Sequence, residues 1–200
     1  MIKKTLNQNA KYAQEFMKTI ETDFIFSDKP INRFKVDSAE NKETSISKNG
    51  LLNDLKTKIN SIENCNLKNN SKNLVLGEGN INADVMLIGE TPGEIEDETG
   101  LCFQGEVGNL LNKMLLAINI KRENIYTTYS INFRPPEDRK PTGQEIKRYA
   151  IFLKEHIAII DPKILILMGS TAMEAITGLS KISNERGKWK EIILKNKTIP

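Results

Sequence analysis

Three short apolar runs, Val85–Ile88, Ile125–Ser130 and Ile164–Met168, alternate with stretches of helical spacing, and this alternation limits the fold more than any other feature. Val85-Met86-Leu87-Ile88 ends at Gly89 and has the unbroken apolar character of a strand buried on both faces. After it, Val107, Leu110, Leu111, Met114, Leu115 and Ile118 recur at helical spacing. The segment from Thr142 to Ile160 predicts another helix, with Thr142 as N-cap and Glu145 completing a capping box. Ser170 is the expected cap of a short helix that stops at Gly178, and Ile192–Leu194 is a last strand candidate. Ahead of all these, Leu51, Leu52, Leu55 and Ile59 share one face of a helix predicted from Gly50 to Ile62. Together they predict an α/β fold of three layers, α/β/α, around a short central parallel sheet.

Residues 1–49 read as a polar extension and linker, mostly helical or disordered, ahead of a domain at 50–200. Leu6, Tyr12, Phe16 and Ile20 give the extension a partial helical stripe, and Ser38–Asn49 reads as linker. A chain of 200 residues can hold one domain with such an extension. The formal charge of +3 permits a nucleic-acid partner without requiring one. Two cysteines, Cys65 and Cys102, cannot make a disulfide framework and fit a reducing compartment, so a cytoplasmic location is expected. Met1-Ile2-Lys3-Lys4 leads into a polar stretch, so neither a signal peptide nor a membrane span is expected.

In parallel α/β sheets, ligands bind beyond the carboxyl ends of the strands. The loops after Ile88, Ser130 and Met168 are therefore the places to look. The first, Gly89-Glu90-Thr91-Pro92-Gly93 and onward to Gly100, lacks the Gly-Lys-Ser/Thr ending of a phosphate-binding loop. Its five carboxylates, Glu90, Glu94, Glu96, Asp97 and Glu98, repel phosphate at close range. A carboxylate on a strand end can instead orient a water, stabilise a cationic sugar or hold a metal. A solvated acidic turn fits the loop equally well. Phe103, in the glycine-rich stretch that follows, is either a platform for a planar base or a core residue.

The run Gly89-Glu90-Thr91-Pro92-Gly93, with Glu96-Asp97, Gly100, Phe103, Gly105 and Gly108, resembles the first motif of the family 4 uracil-DNA glycosylases. These enzymes are related to the N-terminal part of certain phage DNA polymerases. The likeness extends to Gly77-Glu78-Gly79-Asn80, Arg134-Pro135-Pro136, Arg139 and Pro141, Pro162-Lys163 with Gly169, and Arg186-Gly187-Lys188-Trp189. It covers roughly Leu51 to Pro200. The resemblance implies hydrolysis of the N-glycosidic bond of deoxyuridine in DNA, on a base flipped out of the stack. It implies that Gly89, Glu90 and Thr91 border the base, that Glu96 positions or activates the water, and that Phe103 stacks on uracil. Arg134, Pro135, Pro136, Arg139 and Lys140 would approach the DNA backbone.

Several positions depart from the family pattern. The family carries a [4Fe–4S] cluster on four cysteines, and only Cys65 stands at such a position; Ile62, Phe133 and Tyr149 fill the others. Cys102 lies where the family has proline, so no cluster and no other cofactor or metal is expected. Tyr129 replaces the asparagine that would hydrogen-bond the edge of uracil, and a phenol cannot reproduce an amide's paired donor and acceptor. Thr91 replaces a small glycine or alanine. The family's second motif opens with His-Pro just beyond a strand near Thr198-Ile199-Pro200, and it is expected to be missing. The single histidine, His156, is expected on the surface of its helix or partly buried.

The expectation is thus a monomeric uracil-DNA glycosylase-like protein with weak or lost activity, acting on DNA that contains uracil. A DNA-binding remnant using Lys121, Arg122, Arg134, Arg139 and Lys140, or a decayed gene product, is the alternative. A metal-dependent hydrolase has only the acidic loop in its favour.

Overall fold

Ser47 starts the first described helix, α1 (Lys48–Asn60), by accepting from the Gly50 N–H at 3.3 Å. The computed structural model describes residues 47–194 and 197–199, so the expected stripe from Leu6 to Ile20 and most of the expected linker lie outside them. Helix α1 buries Leu52, Leu55 and Ile59, the face its spacing predicts. Its Lys48 Nζ donates to the Ile160 carbonyl at 2.7 Å and to that of Ile81 at 3.1 Å, fastening its start to the far side of the domain. A short helix, α2 (Asn66–Asn70), follows.

Four strands, β1 (Gly77–Gly79), β2 (Val85–Gly89), β3 (Ile125–Tyr129) and β4 (Ile164–Leu167), pair in the order β1-β3-β2-β4. The three apolar runs make the parallel part: β2 lies between β3 and β4, with Gly89 opposite Tyr129 and Val85 opposite Ile164. The edge strand β1 runs antiparallel to β3. Its Gly-Glu-Gly sequence carries no apolar pattern; the ladder to β3 holds it, together with the pairing of Glu78 and Arg122 at 2.9 Å. At Gly79, with φ +112°, a Cβ would stand 2.2 Å from the Ile125 carbonyl oxygen, so this close approach requires glycine.

Alternate strand residues build a core on each face. Met86, Ile88 and Tyr126 pack in one cluster with residues of α1, α5 (Gly143–Ile160) and α6 (Ser170–Thr177). Leu87, Ile125 and Tyr129 pack in the other with Leu111 and Leu115 of α4 (Gly105–Ala117). This is the predicted three-layer α/β/α arrangement. The β2–β3 connection runs through α4 and the β3–β4 connection through α5, on opposite faces, so the connections diverge at the carboxyl end of β2. That end is where open α/β sheets place their ligands.

Two details differ from the sequence reading. Helix α4 buries Leu111 and Leu115 but leaves Val107, Leu110, Met114 and Ile118 exposed, because only one side of it meets the sheet. His156 is not at the surface of α5 but fully buried, with Nε2 2.9 Å from the Tyr126 hydroxyl. The rest of α5 is as expected: Thr142 and Glu145 form the capping box, and the helix ends at Asp161 in the left-handed region, just before Pro162. Among the described residues no helix is long and apolar enough to cross a membrane. The short helices α3 (Glu94–Thr99) and α7 (Ile182–Glu185) and an antiparallel hairpin of β5 (Ile192–Leu194) and β6 (Lys197–Ile199) complete the fold.

Burial pushes the His156 pKa down to about 4. An unfolded histidine protonates near pH 6.5, so unfolding takes up a proton between pH 4 and about 6.5. Stability is therefore full above about pH 6.5 and falls by up to about 3 kcal/mol as the pH drops towards 4. His156→Gln keeps a polar partner for Tyr126 and cannot charge. Urea unfolding from pH 4 to 7 should show a slope near one proton in the native chain and a flatter one in the variant.

Candidate functional site

At the carboxyl end of β2, Gly89 sits under two aromatic rings. A Cβ there would come within 2.8 Å of both Phe103 and Tyr129, so an aromatic pair packs directly onto the strand backbone only because residue 89 has no side chain. The two rings stack, with centroids 4.8 Å apart and planes inclined by 24°. The Phe103 N–H donates to the Tyr129 hydroxyl at 3.0 Å. Arg122 places its guanidinium 5.5 Å from the Phe103 centroid and donates to Glu78, to the Cys102 carbonyl and to Thr127. Phe103 retains 6% of its surface and Tyr129 5%, so neither ring offers a free face.

The acidic loop is tied rather than open. Glu90 Oε1 accepts from the Thr171 N–H at 3.0 Å and the Ser170 hydroxyl at 3.2 Å, both in the first turn of α6. Gly169, with φ +97°, is the position before that helix, and a Cβ there would collide with the Glu90 carboxylate at 2.4 Å. Gly169 is thus the cap, while Ser170, the expected cap, turns its hydroxyl to Glu90. Glu96 is buried, with Oε2 accepting from the Gly93 N–H at 3.0 Å and Oε1 from the Gln104 N–H at 2.9 Å. Asp97 is buried too and accepts from the backbone N–H groups of Lys72 and Asn73 at 2.9 and 3.1 Å. Glu98 pairs with Lys72 at 2.7 Å, and Glu94 lies 3.7 Å from Arg134. No group of three or more candidate metal ligands occurs among the described residues. Thr91 is half-buried in the same turn, and Pro92 beside it is buried.

Beyond β3, the loop carrying Arg134, Pro135, Pro136, Arg139 and Lys140 is pinned by its own charges. Arg134 makes a two-pronged pair with Asp138 at 2.7 and 2.8 Å, and Arg139 makes another with Glu145 at 2.7 and 2.9 Å. The Arg139 guanidinium, aided by the Thr142 N–H and hydroxyl, pushes the Glu145 pKa down to about 2. The sequence reading named these residues but not their internal partners, which lie four and six positions away in the chain.

Three of the four positions that match the resemblance's cluster cysteines meet in space. Cys65 Sγ lies 3.3 Å from the Tyr149 hydroxyl, and Phe133 packs edge-on against Tyr149 with centroids 6.4 Å apart. Cys65, Phe133 and Tyr149 are buried, and Ile62 packs against the same core. Burial is the main cause that raises the Tyr149 phenol pKa, so the hydroxyl stays neutral.

The uracil DNA glycosylase superfamily matches residues 76–199, a span that includes every strand-end loop just described. The chain belongs to that superfamily. It is 34% identical over 146 residues to the type-4 uracil-DNA glycosylase of Archaeoglobus fulgidus, covering 70% of this chain and 73% of that protein. With the type-4 uracil-DNA glycosylase of Thermotoga maritima it shares 39% over 119 residues, 60% of this chain and 62% of the relative. A DNA polymerase of Bacillus phage SP01 is 32% identical over 117 residues, which cover 58% of this chain and 13% of the polymerase.

Sequence reasoning missed Arg122 as a neighbour of Phe103, and Ser170 and Thr171 as the partners of Glu90. Arg122 carried no local signal beyond its charge. The contacts of α6 could have been suspected from glycine at 169, the last residue before a helix that opens on serine.

Glu96 joins two backbone amides across the loop, and hydrogen bonds to a charged group are worth about 1.5–3 kcal/mol each. Glu96→Ala should therefore cost the fold about 3 kcal/mol in urea unfolding. A cost under about 0.5 kcal/mol would show that its carboxylate does not hold the loop.

Proposed function

We propose that this chain is a uracil-DNA glycosylase-like protein of base excision repair, with weak or lost activity on the N-glycosidic bond of deoxyuridine in DNA. The observation that carries the reading is the strand-end site itself. Gly89, Glu90, buried Glu96 and Phe103 converge at the point where the connections of the sheet diverge, inside the superfamily match. In the reaction, a water oxygen bonds to the sugar C1′ while the C1′–N1 bond breaks and its electron pair leaves with the base as an anion; the water gives up one proton, and the released base takes up a proton in turn. Glu90 borders the base, and its charge favours the cationic sugar of the transition state. Glu96 already accepts from two amides, so its part is to orient the water through a remaining lone pair. Thr91 lines the same turn. The loop of Arg134, Pro135, Pro136, Arg139 and Lys140 faces the DNA phosphates, with its arginine forks partly neutralised by Asp138 and Glu145.

The expected activity is low for a physical reason: Tyr129 stacks on one face of Phe103 and the Arg122 guanidinium lies 5.5 Å from the ring centroid, while His156 is committed to Tyr126 on the opposite face of the sheet. A second reading, DNA binding without excision, is favoured by the closed faces of Phe103, which leave a flipped base no ring to lie on. Both readings place a monomer on DNA, and the two buried free cysteines suit a reducing, cytoplasmic setting.

Equimolar protein and a single-stranded oligonucleotide carrying one uracil should yield alkali-labile abasic sites over hours. No product at any time would remove the glycosylase reading. A mobility shift of plain oligonucleotide that weakens with salt would then leave DNA binding alone.

The donor set at Ile62, Cys65, Phe133 and Tyr149 does not fit an iron–sulfur cluster, since one thiol, one phenol and two hydrocarbon groups cannot replace four thiolates. The purified protein should be colourless, with iron far below stoichiometric by elemental assay. A brown protein with a charge-transfer band near the visible range and stoichiometric iron would overturn this.

A further inference from the structure

We infer that Tyr129 is a built-in occupant of the base slot: its ring takes the place of a pyrimidine against Phe103, and its hydroxyl takes the place of a ring carbonyl at the Phe103 N–H. The inference rests on the proposed site but concerns the slot rather than the reaction. Three contacts define the slot. Its wall is the Phe103 ring, stacked at 4.8 Å, and its floor is the bare backbone of Gly89, where even a methyl group would touch both rings. One edge donor is the Phe103 amide, which gives its proton to the Tyr129 oxygen at 3.0 Å. Burial raises the Tyr129 phenol pKa, so the hydroxyl stays neutral in the slot.

A six-membered ring with a carbonyl on its edge can accept the same bond from the Phe103 amide, and uracil is such a ring. Its flat face meets the same requirement on Phe103 as the phenol does. The slot and the tyrosine compete for one volume, since Tyr129 is 5% exposed and leaves no room beside it. Base binding at this place and the native position of Tyr129 are mutually exclusive. Excision by the intact chain then requires the ring to leave the core and give up its stacking and its hydrogen bond to the Phe103 amide. Tyr129 is in this sense the specificity-determining residue of the site, acting by exclusion.

Removal of a large buried side chain can leave a cavity that binds a small molecule of matching shape. Tyr129→Ala should unfold several degrees below the native chain, consistent with the size of aromatic truncations. Millimolar phenol, the shape of the deleted group, and millimolar uracil should each restore part of that loss in a saturable way. Neither should raise the melting temperature of the native chain. Recovery with phenol but not uracil would overturn the inference, since Tyr129 would then fill a core position without base-like polarity. Recovery with neither would overturn it by showing that no slot forms, and stabilisation of the native chain by uracil would do so by showing that the slot is already free. If Tyr129→Ala does not fold, Tyr129→Asn empties most of the ring volume and carries the same comparison. Excision from uracil-containing oligonucleotide, run in parallel, separates this inference from the proposed function. Variants that bind free uracil and release no base leave the slot assigned and remove the glycosylase reading.

Discussion

A buried carboxylate with both oxygens on backbone amides, Glu96 between Gly93 and Gln104, is the contact on which the rest of the site depends. It closes the loop from β2 into α4. With that closure, Phe103 takes a left-handed backbone at φ +51°, Gly105 follows at φ +62°, and Gly108 comes so near the Phe103 carbonyl that no Cβ fits there. The position of Phe103 over Gly89 thus follows from a hydrogen-bonded carboxylate several residues earlier. A group so committed is rigid, which suits the orientation of a water and ill suits large movement. On the proposed reading, chemistry and folding draw on the same side chain.

The same economy governs the other acids of the loop. Five carboxylates in nine residues, from Glu90 to Glu98, look like a metal site or a repulsive patch. Instead, Glu90 lies at the first turn of α6, Asp97 caps the amides of residues 72 and 73, Glu98 meets Lys72, and Glu94 faces Arg134. Backbone amides and single cations carry the charge away in separate directions. Negative potential is left near the strand end without a cage of oxygens to hold a cation. Such a field disfavours phosphate and favours a sugar that becomes positive as its base departs.

The layers and the parallel strands were legible because buried strands and amphipathic helices leave periodic marks in local sequence. The capping box at Thr142 was legible for the same reason: its two halves lie three residues apart. What was not legible depends on partners distant in the chain. His156 reads as polar on α5 until Tyr126 is placed beneath it, and β1 has no apolar pattern because its three residues are held by hydrogen bonds to β3 and by the pairing of Glu78 with Arg122. The candidate site was half visible. The motif residues could be named from resemblance, but the closed face of Phe103 depends on Tyr129, which follows it by 26 positions and meets it only through the β2–β3 register.

Two tyrosines show what replacement demands in a buried setting. On the proposed reading, Tyr149 stands where a cluster ligand would be and Tyr129 where a base would lie. Each fills volume with an aromatic ring, and each keeps a hydrogen bond for its hydroxyl, to Cys65 and to Phe103 respectively. A buried phenol without a partner would cost the fold the desolvation of its hydroxyl, so these contacts are a condition of burying the ring. Around Tyr149 the segments that a cluster would bind are still joined. Arg148 donates to the carbonyls of Glu63 and Asn64, and Phe133 packs edge-on against the Tyr149 ring. Ordinary packing can therefore do the structural part of a cluster's work here. On that reading, stability places no demand on keeping either a cluster or an open base slot.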